Sequence, residues 1–414
     1  MIKRQGLFVI LFSCAAVVLT PSLASSQLVL GQYEDEAPVG TWNTFGFASA
    51  SSLGLGGTTF AYATDSSASL SNPALLTSLP KACFTLSGSY AYASFFKYAL
   101  VNTGVLRSSG NLSLRSWAVD FGGFSFKLHG WTIALGIGVS EIYGRPKVAY
   151  SYAPGGIALY RLNFDQTGTL KNIHLAVARQ LTQRFAAGVG FNLIFGNLDR
   201  RTEDQWIGEG ITITDHKTQT FRGYYLNAGM TYALADSLTA ALVFRTPFTK
   251  RAKDRSVLQY TAPAAQIDIR IEADSEDTYR QPLLAGFGLN WRISSSLRAV
   301  SDFVFANWSS YKASYFGEEK QRDFRNVIQV RAGLEYLAVY SLLGAIVQMP
   351  VRIGFHSDPQ PMKEPRSAYA SFSFGTGIHW KKIRLDAATS IGKETGSGQA
   401  LVAQRIALTL GFRL

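Results

Sequence analysis

The sequence predicts an all-β fold: a transmembrane antiparallel β-barrel of about 14 strands, with an N-terminal plug of short helical turns inside its lumen. Three observations predict it. The chain is 47% hydrophobic but only 16% charged, with 38 glycines among 414 residues, and a mean hydropathy of +0.07 is too polar for a helical membrane protein. That balance suits strands that are apolar on one side and polar on the other. From Ala82 onward, side-chain character alternates with a period of two. Tight and long connections also alternate along the chain, as in barrels whose turns are short on one side of a membrane and long on the other.

The first residues read as a targeting segment. Lys3 and Arg4 precede an apolar run over residues 7–20, and Pro21 and Ala24-Ser25-Ser26 follow. A helix needs roughly 20 apolar residues to cross a bilayer. The shorter run predicts a cleaved export signal over residues 1–26, with Gln27 as the new N-terminus. Leu11-Phe12-Ser13-Cys14 resembles a lipoprotein box, but the apolar run continues past Cys14, which favours the signal. Cleavage leaves Cys83 alone, so no internal disulfide is expected.

Residues 27–81 are expected to form the plug and residues 82–414 the barrel. Residues 27–44 are polar, with an acidic Glu34-Asp35-Glu36 patch, and residues 42–55 are small and rich in Gly and Ser. Residues 56–81 read GGTTFAYATDSSASLSNPALLTSLPK, too polar to form a core of their own. Pro73 fixes its own φ and pushes Asn72 out of the helical region. A short turn through Ala74, Leu75 and Leu76 is therefore predicted, with Pro73 at its first position. Asp65 or Ser66 is placed to cap a second turn over residues 66–69.

Strands are predicted near residues 82–98, 113–128, 131–143, 169–180, 184–197, 219–233, 237–250, 282–292, 296–307, 326–337, 348–356, 369–380, 383–391 and 403–414. In the third, Ile133, Leu135, Ile137 and Val139 oppose Ala134, Gly136, Gly138 and Ser140; in the tenth, Ile328, Val330, Ala332 and Leu334 oppose Gln329, Arg331, Gly333 and Glu335. This is the signature of strands with two unlike faces. His129-Gly130, residues 181–183 and 234–236, Ser294-Ser295 and Lys381-Lys382 are tight connections, whereas the link 338–347 is longer and breaks the rule. Segments 99–112, 144–168, 198–218, 251–281, 308–325, 357–368 and 392–402 are expected as long loops. An even count places both chain ends at the periplasmic rim. Trp131, Tyr232, Trp291, Tyr336 and Trp380 lie beside the short turns, where they would form an interfacial girdle. At the C-terminus, Ile406, Leu408, Leu410, Phe412 and Leu414 alternate with Arg405, Ala407, Thr409, Gly411 and Arg413. The barrel must close, because no sheet edge can face hydrocarbon unpaired.

The inward faces carry Arg292, Arg298, Asp302, Arg331, Glu335, Arg352, Arg384, Asp386 and Arg405. Of these, Arg298, Asp302, Arg331, Glu335 and Arg352 are candidates for a lumen charge network that holds plug to wall, or for contact with a ligand carboxylate. The net charge of +12 comes from 40 basic and 28 acidic residues. No basic run is dense enough for nucleic acid; inward arginines and contact with anionic lipid account for the excess. None of His129, His174, His216, His356 and His379 has metal-ligand spacing to another ligand. There is no Gly-x-Ser-x-Gly, phosphate loop or dinucleotide fingerprint, so no enzyme and no cofactor is expected.

Within residues 56–81, Gly56, Gly57, Phe60, Ala61, Ala63, Asp65, Asn72, Pro73, Ala74 and Leu75 resemble the N-terminal plug of the FadL family, the outer-membrane transporters of long-chain fatty acids and other hydrophobic compounds. Later stretches are similar too: Phe244-Arg245-Thr246-Pro247-Phe248, Gln281-Pro282, Asn307-Trp308-Ser309, Arg331-Ala332-Gly333, Arg352-Ile353-Gly354-Phe355 and Asp358-Pro359-Gln360-Pro361. The resemblance implies a monomeric barrel in the outer membrane of a Gram-negative-type bacterium, in contact with its lipid and lipopolysaccharide. It implies passive, plug-gated uptake of fatty acids or hydrocarbons, with Asp65, Asn72, Pro73, Ala74 and Leu75 as the plug motif. Residues 251–281, with Val257, Leu258, Tyr260 and Ile267, are the better candidate for solute capture, since 198–218 is charged. Two other readings stand beside it: a secretion-machine partner or scaffold that binds protein rather than lipid, and a diffusion porin.

Overall fold

In a computed structural model, residues 49–94, 106–110, 113–315, 318–321, 323–342, 345–364, 366–396 and 401–414 are described. The expected signal, residues 27–48 of the expected plug and most of the 99–112 connection lie outside them. The wall consists of fourteen antiparallel staves. They are β1 (Ala82–Ser94), β2 (Ser113–Leu128), β3 (Trp131–Ile142), β4 (Tyr160–Gln180), β5 (Phe185–Trp206), β6 (Ile211–Ala235), β7 (Leu238–Arg245 continued by Phe248–Ala262), β8 (Ile267–Gln281 continued by Leu284–Arg292), β9 (Leu297–Ala306), β10 (Val327–Leu342), β11 (Ala345–Pro359), β12 (Ala368–Trp380), β13 (Ile383–Thr395) and β14 (Val402–Arg413). Each pairs with the next, and β1 pairs with β14 through Tyr90 opposite Ile406 and Phe84 opposite Phe412, which closes the sheet.

The alternation in sequence becomes the two faces of this wall. On β3, Ala134 is buried while Leu135 and Ile137 are exposed. Ile173, Leu175, Phe191, Leu226, Leu334, Ile353, Leu385 and Leu410 extend the same outward apolar surface. A band of this kind is far larger than water tolerates on a monomer and is covered by bilayer hydrocarbon. The chain is thus an outer-membrane barrel. Trp131, Tyr232, Trp291, Tyr336 and Trp380 are all exposed at the short-turn ends, as an interfacial girdle requires. The turn between β2 and β3 has positive φ at His129 and Gly130, the geometry that joins twisted antiparallel strands with two residues.

Three expectations need correction. Segments 144–168, 198–218 and 251–281 are largely strands, not loops: the ladder runs unbroken from Phe185 opposite Tyr232 to Trp206 opposite Ile211, and Phe248 to Ala262 pair with Gln281 to Ile267. Beyond the bilayer the outward face no longer has to be apolar, so charges such as Arg201 and Glu203 hide the strand pattern. The link 338–347 is not long either, since Leu342 pairs with Ala345; apolar residues there follow one another with Ser341 as the one hydroxyl side chain besides Tyr340, which erases the period of two. Arg292 does not face the lumen. It lies exposed at the short-turn rim and donates to the Asp236 carbonyl at 2.9 Å.

The described N-terminal residues fill the barrel. Helix α1 (Ala50–Gly54) packs against β11 to β14. Helix α2 (Ala68–Ser71) follows. A 3₁₀ turn, Pro73–Ser78, packs against β3 to β6. That turn lies where Asn72-Pro73 predicts it, with the Asn72 side chain accepting from the Ala74 N–H. Ahead of α2, the Asp65 Oδ1 accepts the N–H of Ser67 at 3.1 Å and the Asp65 carbonyl accepts the N–H of Ala68 at 3.3 Å, so a turn over residues 66–69 headed by Asp65 runs on into the helix.

Candidate functional site

The plug seats against the wall because the inner face is smooth where they meet. Gly188, Gly229, Gly333 and Gly354 sit under Pro73, Asn72, Leu55 and Gly56 respectively. A Cβ at Gly354 would lie 2.0 Å from the Gly56 nitrogen, so only glycine permits this approach.

On the later staves, charges grip the plug. Asp302 on β9 accepts the backbone N–H groups of Thr59 at 2.6 Å and Phe60 at 3.2 Å. Opposite it on β10, Arg331 donates to the Gly57 carbonyl at 3.0 Å and to Gln329 at 3.0 Å. Two inward rows nearer the periplasm, Glu335 gathers the Tyr62 hydroxyl at 2.8 Å, Arg298 at 3.2 Å and Arg352 at 2.7 Å. Arg298 also lies 3.8 Å from the centre of the Tyr62 ring. Arg352 continues to Asp386 at 2.7 Å, which also binds Arg384 at 3.0 Å. Arg384 and Arg413 both donate to the Thr64 carbonyl. Buried charges stay where they are only when paired and hydrogen-bonded, and here the plug backbone supplies part of that pairing.

The opposite wall uses amides instead. Asn172 donates to Asn192 at 3.0 Å, Asn192 to Asn227 at 2.7 Å, and Asn227 to the Ser69 carbonyl at 3.0 Å. His174 Nε2 lies 2.7 Å from the Ser69 hydroxyl. Leu75, Leu76 and Leu79 pack on Ala134, Ala176 and Ala178. The structure therefore brings Arg298, Glu335 and Arg352 into direct contact, sets Asp302 against Arg331 beside them, and places Asn72, Pro73, Ala74 and Leu75 across the lumen. Asp65 stands apart from both, holding Ser51 at 3.1 Å and Ser67. Sequence reasoning missed Tyr62, for which no local signal existed, and the Asn172, Asn192, Asn227 relay, for which parity on the inner face was the available signal.

Above the plug the wall carries a cluster of the protein's own rings. Tyr143, Phe221, Tyr225, Phe248, Tyr279 and Tyr311 form one buried cluster, with Trp308 and Phe324 against it. Tyr143 stacks on Phe221 at 5.1 Å, and Tyr225 meets Phe248 at 5.0 Å. Lys250, buried among them, donates to Glu141 at 2.7 Å and to the Tyr143 hydroxyl at 2.8 Å. A space of about 20 Å³ among Ser51, Thr59, Tyr62 and Ser67 has room for roughly one water. A cleft of about 740 Å³ lies elsewhere, on the strand extensions, and is lined by charged residues including Lys147, Asp165, Arg201, Glu203, Asp215 and His216. No group of three or more metal-ligating side chains occurs among the described residues.

A family model described as BamG matches residues 38–397. No curated protein matches the chain. Several solved barrels share its fold. A Pseudomonas aeruginosa FadL homologue is 14% identical over 91% of this chain and 99% of its own, with a TM-score of 0.64. The monoaromatic hydrocarbon channel CymD is 12% identical over 88% and 96%, with a TM-score of 0.61. The Ralstonia pickettii toluene transporter TbuX is 14% identical over 87% and 96%, with a TM-score of 0.60. At such identity the likeness to FadL-type proteins is one of fold.

Proposed function

The chain belongs to the BamG family, and from that premise we propose that it serves as a protein-binding barrel associated with the Bam machinery rather than as a conduit for hydrophobic solutes. The lumen's own occupants carry this reading. An apolar solute needs an apolar pocket of a few hundred Å³, and among the described residues the plug and the aromatic cluster take up lumen space at two levels. Arg298, Arg331 and Arg352 already donate to acceptors of the protein itself, so a ligand carboxylate would have to displace them. Arg331 and Arg298 brace the plug against the wall, and Arg352 holds the Glu335 that accepts from Tyr62.

The alternative, uptake of fatty acids or hydrocarbons, is favoured by the extent of the fold likeness to hydrocarbon channels. One experiment separates the two. The tagged protein is extracted from its own outer membrane, and Bam subunits are quantified in the eluate; in parallel, oleate and toluene uptake are measured in cells with and without it. Stoichiometric Bam subunits with unchanged uptake are expected. Uptake that rises with the protein, with no Bam subunit retained, overturns the reading.

A further inference from the structure

The outward face of the wall changes character where the apolar band ends. On β6, Tyr232, Met230, Leu226 and Tyr224 are exposed on the membrane side, and the next outward position is Arg222. Ten residues separate Arg222 from Tyr232 of the periplasmic girdle. On a stave tilted by about 40° and rising about 3.3 Å per residue, that separation spans about 25 Å, the height of the apolar band. Arg222 therefore stands at headgroup depth in the outer leaflet, one step beyond the Tyr224 ring. Directly opposite it on β7 is Arg251. Arg280 on β8 lies opposite Thr249, a diagonal step from Arg251. All three are exposed, while their neighbours Phe221, Ala252 and Tyr279 are buried. Like charges directly opposite one another destabilise a sheet. Elsewhere on this surface cations meet acids: Lys147 binds Asp165 at 2.8 Å, Arg255 binds Glu272 at 2.8 Å and Lys312 binds Glu319 at 2.5 Å. The other ladder partners of the three arginines are Phe195, Thr249, Thr278 and Lys312, and Glu276 sits one row further out, opposite Lys253. Among the described residues, no carboxylate pairs with any of the three. Lys171, beyond Phe195 in the same row, adds a fourth positive charge.

We infer that Arg222, Arg251 and Arg280 bind the phosphates of a lipopolysaccharide molecule in the outer leaflet. A guanidinium presents paired N–H donors that match phosphate oxygens, and an anion between Arg222 and Arg251 turns their repulsion into attraction. Depth selects the source of the phosphate. Tyr224 and Leu226 just below are exposed, so the ligand joins an anionic head to acyl chains that lie along the wall, and a free phosphate would use only the upper half of the site. The spread from Lys171 to Arg280 suits a headgroup that carries more than one phosphate. The site is on the outside of the wall and is independent of what the chain binds in the Bam machinery.

The test uses the full-length protein in a zwitterionic detergent and fluorescein-labelled rough lipopolysaccharide, with binding read by fluorescence anisotropy. Arg222→Gln combined with Arg251→Gln is expected to weaken binding by about tenfold or more. Lys147→Gln combined with Arg201→Gln removes the same charge from the same outer surface and is expected to leave the affinity within about twofold of the wild type. Heat-modified gel mobility confirms that each variant barrel folds. A second readout carries a sign that a purely structural role would not give. Without lipopolysaccharide, the Arg222, Arg251 double variant should unfold at a higher urea concentration than the wild type, because a like-charge contact is gone; with lipopolysaccharide present, the order should reverse. Equal affinity of that double variant overturns the proposal, as does undiminished binding of lipopolysaccharide stripped of its phosphates. Displacement of the label by inorganic phosphate or phosphatidylglycerol as readily as by unlabelled lipopolysaccharide also overturns it, because the arginines then hold any phosphate rather than this lipid.

Discussion

Asn72 donates its side-chain N–H to the carbonyl of Phe60 at 2.6 Å, tying two segments of the plug that are twelve residues apart. Its Oδ1 meanwhile accepts the Ala74 N–H at 3.0 Å and starts the 3₁₀ turn. Both partners are buried, so truncation leaves a donor and an acceptor unsatisfied. Asn72→Ala is expected to destabilise the protein by about 2–4 kcal/mol. Asn72→Asp should be worse, because it sets a carboxylate oxygen against a carbonyl. Urea unfolding in detergent micelles, followed by tryptophan fluorescence, measures both; an unchanged midpoint for Asn72→Ala would remove this residue from the account of the plug.

Gly229 lies directly beneath Asn72. A Cβ there would stand 2.0 Å from the Asn72 Oδ1, so Gly229→Ala must push the plug or bend β6. Overpacking of this kind costs about 1–3 kcal/mol. Limited proteolysis should cut within residues 56–81 faster than in the wild type, while the barrel itself stays protected. The two residues share one contact, so Gly229→Ala with Asn72→Ala should cost less than the sum of the single changes. Additive losses would show that they do not meet.

The barrel was legible because a bilayer imposes a strict alternation on every stave, and Ile133 to Val139 display it residue by residue. Asn72-Pro73 was legible because proline chemistry is local. The same logic explains what was not. Above the membrane the constraint on outward residues disappears, so β5 and β6 read as a charged loop near Arg201 and Glu203. Around residues 338–347 apolar residues follow one another, and the alternation vanishes. The inward charges could be read from parity, but their partners could not. That Glu335 meets Tyr62, 273 positions away, depends on how the plug sits, and no local pattern encodes that. Nor does any motif separate a solute pocket from a lumen filled with Phe221, Phe248 and Tyr279, since both need aromatic residues on inward positions.

The Tyr62 phenol is a reporter of plug docking. Burial, and then the Glu335 carboxylate that its hydroxyl faces, push it up to about 12 from an ordinary value of 10.0. A group whose folded value is raised contributes stability that is fully present below the unfolded value and is lost as pH rises through the folded one. The docked plug should therefore hold below about pH 10 and loosen between about pH 10 and 12. Ultraviolet difference titration of the wild type against Tyr62→Phe isolates this phenol. Titration of Tyr62 near pH 10 in the intact barrel would mean that the hydroxyl is in water and away from Glu335.

Two obstructions in series make a sharper prediction about conduction. The plug occupies the barrel at the level of Asp302 and Glu335, and the rings of Tyr143, Phe221, Phe248 and Tyr279 cluster above it. In a planar bilayer the wild type is expected to conduct little. Deleting residues 49–81 should raise conductance only modestly, because the aromatic layer is built from wall residues and remains. Adding Phe221→Ala and Tyr279→Ala to the deletion should open a steady pore, whereas the same two substitutions with the plug in place should not. Each layer alone is then sufficient to block, which is what a scaffold tolerates and a transporter does not, since a transporter must clear its path on every cycle. A steady ohmic pore in the wild type would contradict this arrangement. It would return the protein to the class of diffusion channels.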